Sequence, residues 1–333
     1  MQSDAKVSAR MASFSGFIGG HWKMTSLAGT DTYDTWHWGP ERNSIRSMRF
    51  GTLPDGDPWG TMTAYYWHPS RKEVRMLGVC SVFRGVSEGT ITFDGSKAEG
   101  TFDHHQLAGT RELGLRWKFD GPDTFHDQLL EKGPRGYELM VEWDRHRVAA
   151  VSADERAAPK DVMLVERPSK LLSPLAKLLG AVWQTQAKPG AAAPRSVGDL
   201  PVRASFEYVP HVDAIFGRVQ TLDAGGTPSH AMDLYLYHHT RARALRCLVL
   251  AIDDAGEAIV SEVDVTPIDS GRSLRLDVRE QRSGGVSALE ARIDFEAARV
   301  GVGAERALRV RLWKTDGQER SVFVDLLLHP ASE

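Results

Sequence analysis

Three short blocks occur twice in this chain, in the same order, and that repetition constrains its fold more than any other feature. Phe17-Ile18-Gly19-Gly20-His21-Trp22 returns as Leu178-Leu179-Gly180-Ala181-Val182-Trp183. Trp67-His68-Pro69-Ser70-Arg71 returns as Tyr237-His238-His239-Thr240-Arg241, and Leu164-Val165-Glu166-Arg167-Pro168 returns as Leu326-Leu327-Leu328-His329-Pro330. The offsets are 161 (Trp22 to Trp183), 170 (His68 to His238) and 162 (Pro168 to Pro330). Ordered blocks at nearly constant spacing mark a duplicated domain, and loops absorb small changes of offset at little entropic cost. The expected organisation is a polar N-terminal extension over 1–12, one domain over 13–169 and a second over 170–333. Each half is long enough to bury a core of its own.

Composition narrows the class. With 41% hydrophobic and 26% charged residues, the chain reads as ordinary globular protein. A net charge of −3 argues against a nucleic-acid partner. No apolar run is long enough for a membrane-spanning helix. Residues 1–10 are polar and lack the apolar segment of a secretory signal, so the expected location is cytoplasmic; secretion would require an upstream signal. Cys80 and Cys247 have no metal-binding spacing and read as buried, unbridged thiols.

Each half opens with a short helical signal: Ser13 or Ser15 before Phe17 and Ile18, and Ser173-Pro174 before Leu175, Leu178 and Leu179, with Gly19 and Gly180 as terminators. After these, the pattern is of strands. Leu113, Leu115, Trp117 and Phe119 alternate, as do Leu274, Leu276 and Val278, while Val74–Phe83 and Leu245–Ile252 are near-continuous apolar runs. Glu290–Ala298, with Ile293 and Phe295 in alternation, also reads as strand. Turn signals such as Asp94-Gly95, Asp120-Gly121-Pro122 and Asp316-Gly317 separate the strands. Closely spaced strands joined by tight turns predict an all-β antiparallel barrel or sandwich.

A short helix, Gly20-His21-Trp22 at the start of the first strand, and then an antiparallel meander resemble the lipocalin or calycin pattern. Tyr65-Tyr66-Trp67-His68-Pro69, a hydrophobic strand and Ser87-Glu88-Gly89 resemble the bacterial lipocalin-like family DUF1579. The resemblance implies a barrel of eight to ten antiparallel strands; with the duplication, the expected fold is two tandem antiparallel lipocalin-like barrels, each opened by a short helix and packed as an intrachain pseudo-dimer. It also implies that a basic residue of each last strand stacks on the Gly-x-Trp indole. Arg167 is expected on Trp22, and His329 near Trp183.

Candidate chemistry is sparse. Gly85-Val86-Ser87-Glu88-Gly89 has the spacing of a nucleophile elbow, but that motif needs a helix after the serine, and Thr90-Ile91-Thr92-Phe93 reads as strand. The histidines His104-His105, His126 and His238-His239 lack metal-ligand spacing, and adjacent residues on a strand face opposite ways, so no metal site is expected. Haem, held by a histidine such as His329, is a secondary alternative to a cofactor-free protein. The tryptophans are more informative: Trp22, Trp36, Trp38, Trp59, Trp67, Trp117 and Trp143 lie in the first half, only Trp183 and Trp313 in the second. The leading expectation is that the first barrel binds a small, largely apolar molecule through Trp36, Trp38, Met62, Tyr66, His68, Trp117 and Trp143, with the second barrel mainly structural. The alternatives are an enzyme using His68, His104 or Glu88 at a barrel mouth, and a filled barrel with an interaction role.

Overall fold

The computed structural model describes residues 8–25, 31–53, 55–148, 170–185, 201–209, 211–223, 226–253, 255–300, 303–316 and 319–331. It contains two closed ten-stranded antiparallel barrels in tandem. Barrel 1 consists of β1 (His21–Thr25), β2 (Asp31–Trp38), β3 (Ser44–Thr52), β4 (Pro58–His68), β5 (Glu73–Cys80), β6 (Gly85–Asp94), β7 (Lys97–Gln106), β8 (Gly109–Phe119), β9 (Thr124–Gly133) and β10 (Gly136–Val148). Every strand pairs with its sequence neighbours, and β1 closes the barrel by pairing with both β2 and β10. Barrel 2 repeats the order with β11 (Val182–Thr185), β12 (Val202–Tyr208), β13 (Ala214–Leu222), β14 (Pro228–His239), β15 (Ala244–Ile252), β16 (Ala258–Ile268), β17 (Ser273–Arg282), β18 (Gly285–Val300), β19 (Gly303–Asp316) and β20 (Glu319–Pro330). No helix among the described residues is long and apolar enough to cross a membrane.

The expected opening helices are 3₁₀ helices, Ala12–Phe17 and Ser173–Leu178. Ser173 does not cap the second one; its Oγ donates to the Lys170 carbonyl at 2.8 Å. Each helix places its large apolar residues against one end of its barrel. Phe14 and Phe17 are fully buried in barrel 1, and Leu172, Leu175 and Leu178 occupy the same place in barrel 2. The chain then turns at Gly19 and Gly180, both with φ near +80° (87° and 78°), a conformation glycine adopts without strain. The following tryptophan locks the turn in each copy. Trp22 Nε1 donates to the Phe17 carbonyl at 3.0 Å, and Trp183 Nε1 to the Leu178 carbonyl at 2.9 Å.

The closed end of barrel 1 is an aromatic cluster. Phe17 stacks on Trp36 with ring centroids 4.2 Å apart and meets Trp117 and Phe125 edge-on, each at 5.2 Å. Stacked and edge-to-face pairs of this kind contribute about 0.5–1.5 kcal/mol each beyond their buried area. Barrel 2 fills the same end mainly with aliphatic side chains, among them Leu175, Leu178, Leu236 and Leu308, with Phe206 and Phe295 packed against them.

Strand register corrects two details of the repeat. His68 Nδ1 accepts the Arg71 backbone N–H at 3.3 Å, and His239, not His238, accepts Ala242 N–H in the same way at 3.2 Å. The turns carry matching left-handed residues, Lys72 (φ 54°) and Arg243 (φ 52°). The offset here is therefore 171 (Lys72 to Arg243), and the counterpart of Tyr65 is Leu236 rather than Tyr235. Leu164–Pro168 of the third block lies outside the described residues; by register, Leu326–Pro330 matches Trp143–Arg147 of β10, the strand that closes barrel 1.

Barrel closure shifts accordingly. Arg167 lies outside the described residues, and the cation over Trp22 is Arg147, directly across the strand pair, with its guanidinium carbon 4.5 Å from the ring centroid. Arg147 also donates to the carbonyls of Ile18 (3.0 Å), Pro122 (3.1 Å) and Gly16. In barrel 2 the residue across from Trp183 is Pro330. His329 pairs with Gln184, and alternation puts its neighbour Leu328 in the core and His329 on the outer face. His329 is nonetheless buried, and that orientation does not suit stacking on Trp183.

Candidate functional site

Barrel 1 encloses a cavity of about 440 Å³, inside the range of roughly 300–1,000 Å³ usual for small-molecule pockets. Its floor is the cavity side of the aromatic cluster, Tyr65 and Trp117. Its walls carry Thr61, Thr63, Met76, Phe102, Leu113 and Leu115, and Leu53, Trp59, Val82 and Phe83 surround the end farthest from the 3₁₀ helix. Apolar surface therefore predominates, with a few polar groups at fixed places.

Of the sequence-predicted ligand residues, Trp117 and Trp143 line this cavity. Trp36 and Trp38 point inward on β2 but are packed into the closed end. Trp36 stacks on Tyr65 with centroids 5.6 Å apart, and its buried Nε1 finds no acceptor among the described residues. Met62, Tyr66 and His68 face away from the cavity. The alternation of β4 sends Trp59, Thr61, Thr63 and Tyr65 inward, one residue out of step with the expectation. Tyr65 is thus the interior tyrosine, and burial holds its phenol neutral by raising its pKa above the ordinary value. Cys80 also lines the cavity, its thiol pushed up by burial and so kept protonated.

Sequence reasoning missed a buried ionic network on one wall. Asp34 on β2 and Arg49 on β3 are direct cross-strand partners, with Arg49 Nε donating to Asp34 Oδ1 at 2.7 Å. Arg145 on β10, with no exposed side-chain area, donates to Asp34 Oδ2 and, through Nε and Nη2, to Asp127 Oδ2 at 3.0 and 2.5 Å. Trp117 Nε1 donates to Asp127 Oδ1 at 2.9 Å. Two carboxylates and two guanidinium groups make the cluster neutral, the condition under which buried charge is tolerable. Burial works against the Arg49 cation, but Asp34 and Asp127 outweigh it and raise its pKa. Arg49 is not used up by the network. Its Nη2 stands 3.8 Å from Asp127, its Nη groups have no hydrogen-bond acceptor among the described residues, and 21% of the side chain stays accessible on the cavity wall.

Register shows what the duplicate did with these positions. Trp22 pairs with Asp34, and Trp183 with Ala204; Asp34 pairs with Arg49, and Ala204 with Val219. Counting back along the last strand from Arg147 and Pro330, Arg145 matches Leu328, and through their partners Asp127 matches Val310 and Trp117 matches Ile293. All four members of the network and their indole partner are aliphatic in barrel 2.

A second polar feature lies on the adjoining wall. Ser87 and His104 pair directly across β6 and β7, with Oγ and Nδ1 2.8 Å apart, and both line the cavity. His104 Nε2 stands 3.3 Å from the Phe83 carbonyl, which also accepts Gln106 Nε2 at 2.7 Å. A carbonyl only accepts, so Nε2 carries the ring proton, and Nδ1 accepts from the serine hydroxyl. Burial, with smaller contributions from Arg111 and His105, holds the His104 pKa below its ordinary value. The Gly-x-Ser-x-Gly pattern now has a structural meaning. Gly85, Ser87 and Gly89 share the inner face of β6, and a Cβ at Gly85 would collide with the His104 ring, one at Gly89 with Phe102.

No known family model matches the chain, and no curated protein sequence matches it; the tandem ten-stranded barrels stand as a calycin-like fold on their own topology.

Proposed function

We propose that barrel 1 binds a small, largely apolar molecule that carries a hydrogen-bond acceptor, and that barrel 2 is its scaffold. The observation that carries this reading is the asymmetry of the two copies. At five matched positions barrel 1 keeps Asp34, Arg49, Trp117, Asp127 and Arg145 where barrel 2 has Ala204, Val219, Ile293, Val310 and Leu328. Buried charges are costly to keep, and a packed aliphatic core supplies at least equal stability. Four of them arranged to leave one guanidinium facing a 440 Å³ apolar cavity give that cost a use: a fixed donor that orients a ligand whose remainder is held by Met76, Phe102, Leu113 and Leu115. The lipocalin-like resemblance of Gly20-His21-Trp22 and Tyr65–Pro69 to DUF1579 supports a ligand-holding barrel, and we adopt that kinship as part of the proposal.

The test is a titration of the full chain with medium-chain fatty acids, aromatic acids and haem, followed by tryptophan fluorescence from Trp117 and Trp143. Saturable binding is expected for an apolar acid. Arg49→Leu should weaken it about 10- to 100-fold, the value of a hydrogen bond to a charged group. Binding indifferent to Arg49, or no binding across the panel, would count against the reading.

A further inference from the structure

Thr63, Gly78, Ser87 and His104 form one continuous cross-strand row on β4, β5, β6 and β7, each directly opposite the next, and all four line the cavity. The row has the parts of an acyl-transfer site. Ser87 Oγ already donates to the unprotonated nitrogen of His104 at 2.8 Å, and the Phe83 carbonyl fixes the tautomer that makes Nδ1 the base. Gly78 leaves a notch beside the serine: a Cβ placed there would lie 3.5 Å from both Ser87 Cβ and Thr63 Oγ1. The Thr63 hydroxyl, on the far side of the notch, has no hydrogen-bond partner among the described residues. Strands two apart are separated by about 10 Å. A carbonyl carbon about 3 Å from Ser87 Oγ, with its oxygen about 2.9 Å from Thr63 Oγ1, fits between them.

We propose that barrel 1 hydrolyses small apolar esters at this row, with Ser87 as nucleophile, His104 as general base and acid, and Thr63 as a donor to the oxyanion. Ser87 Oγ bonds to the ester carbonyl carbon while its proton passes to His104 Nδ1. The tetrahedral adduct, its oxyanion held by the Thr63 hydroxyl, collapses; the ester C–O bond breaks, and the departing alkoxide takes the proton from Nδ1 as an alcohol. Water then adds to the acyl-serine, giving a proton to Nδ1. Ser87 Oγ leaves and recovers that proton, releasing the carboxylic acid. Ester and water enter, alcohol and acid leave, and no other reactant is needed. The apolar walls admit the acyl chain, and the lowered His104 pKa keeps the imidazole neutral and able to accept a proton at neutral pH.

The experiment uses the full chain with p-nitrophenyl acetate, butyrate and hexanoate, and in parallel a fluorophosphonate probe located by peptide mass mapping. The expected result is turnover that favours a longer acyl chain over acetate, and a phosphonate adduct on Ser87. Ser87→Ala and His104→Gln should each lower kcat/KM about 100-fold or more, and Thr63→Val about 10-fold or more. The rate should rise with pH to a plateau, with a midpoint below the ordinary histidine value of about 6.5. Absence of turnover and of an adduct on the wild-type chain overturns the proposal, as does an adduct at another residue or a rate that climbs with hydroxide without a plateau. The mapping on wild-type protein decides even if a variant fails to fold. Ser87→Ala should still bind a non-hydrolysable apolar acid, so loss of hydrolysis and loss of binding are separately readable.

Discussion

Asp34 and Arg49 face each other across β2 and β3 in barrel 1, and at the same register of barrel 2 stand Ala204 and Val219. The duplicated fold thus solves one architectural problem twice with different chemistry. In one copy the wall is built from mutually neutralising charges, and in the other from aliphatic packing. The consequences are measurable.

Arg145 is the keystone of the charged wall, bonded to both Asp34 and Asp127 with no exposed side-chain area. Arg145→Leu, which copies barrel 2 at one position only, strands two carboxylates in the interior. It should cost about 3–5 kcal/mol of barrel 1 stability. Changing all four charges to the barrel 2 residues, with Trp117→Ile, should restore most of that loss. Urea denaturation of the full chain, followed through the barrel 1 tryptophans, distinguishes the two; a single variant as stable as wild type would show that the network is dispensable.

Arg147 has two jobs at the closed end: covering Trp22 and holding the carbonyls of Gly16, Ile18 and Pro122. Arg147→Ala should destabilise barrel 1 by about 1–3 kcal/mol. Arg147→Lys should recover little, because an ammonium cannot present a planar fork to several carbonyls while covering an indole. Thermal melts of the three proteins are sufficient to decide.

Gly85 and Gly89 make room for neighbouring chain and side chains rather than for turns. At Gly89 an added Cβ meets Phe102 and the Thr101 carbonyl, backbone that cannot swing aside. Gly89→Ala should therefore cost at least about 1–3 kcal/mol. Gly16→Ala, where nothing lies within 4 Å, should be near neutral in the same assay.

Acid should weaken barrel 1 through His104. Burial holds its folded pKa below the ordinary value, so the unfolded chain takes up the proton first. This contribution is fully present above about pH 6.5, the ordinary histidine pKa, and is lost as pH falls through that value toward the folded one. His126 has the opposite sign: its hydrogen bond to Asp144 raises its pKa, and its contribution fades as pH rises, though it lies near the surface. His104→Gln should flatten the loss of stability between pH 7 and 5. An unchanged slope in that variant would remove His104 as its source.

The barrel and its duplication were legible because hydrophobic alternation and turn residues are local signals. Asp94-Gly95, for instance, closes β6 onto β7 with Asp94 opposite Lys97. That register also contained the Ser87–His104 pair: a hairpin pairing 94 with 97 must pair 87 with 104, and Gly85–Gly89 lies in a strand, as its sequence indicates, not in a nucleophile elbow. The interior of β4 was read one residue out of step because Met62 and Tyr66 look as apolar as Thr61, Thr63 and Tyr65 look mixed; barrel walls here carry threonine inward. The ionic network was invisible for a deeper reason. Asp34, Arg49, Asp127 and Arg145 are spread over 112 positions (145 − 34 + 1), and only closure of β10 onto β1 brings the last two to the first two.

The most direct measurement is the stoichiometry of an apolar fluorescent acid, such as 1-anilinonaphthalene-8-sulfonate, on the folded full chain by native mass spectrometry. Gly78→Phe, which projects a ring into the barrel 1 cavity, is compared with Val249→Phe, its counterpart by register in barrel 2. The expected result is one molecule per wild-type chain, lost in Gly78→Phe and kept in Val249→Phe. Two molecules per chain, or binding that survives Gly78→Phe and disappears in Val249→Phe, would contradict the assignment of function to the first barrel.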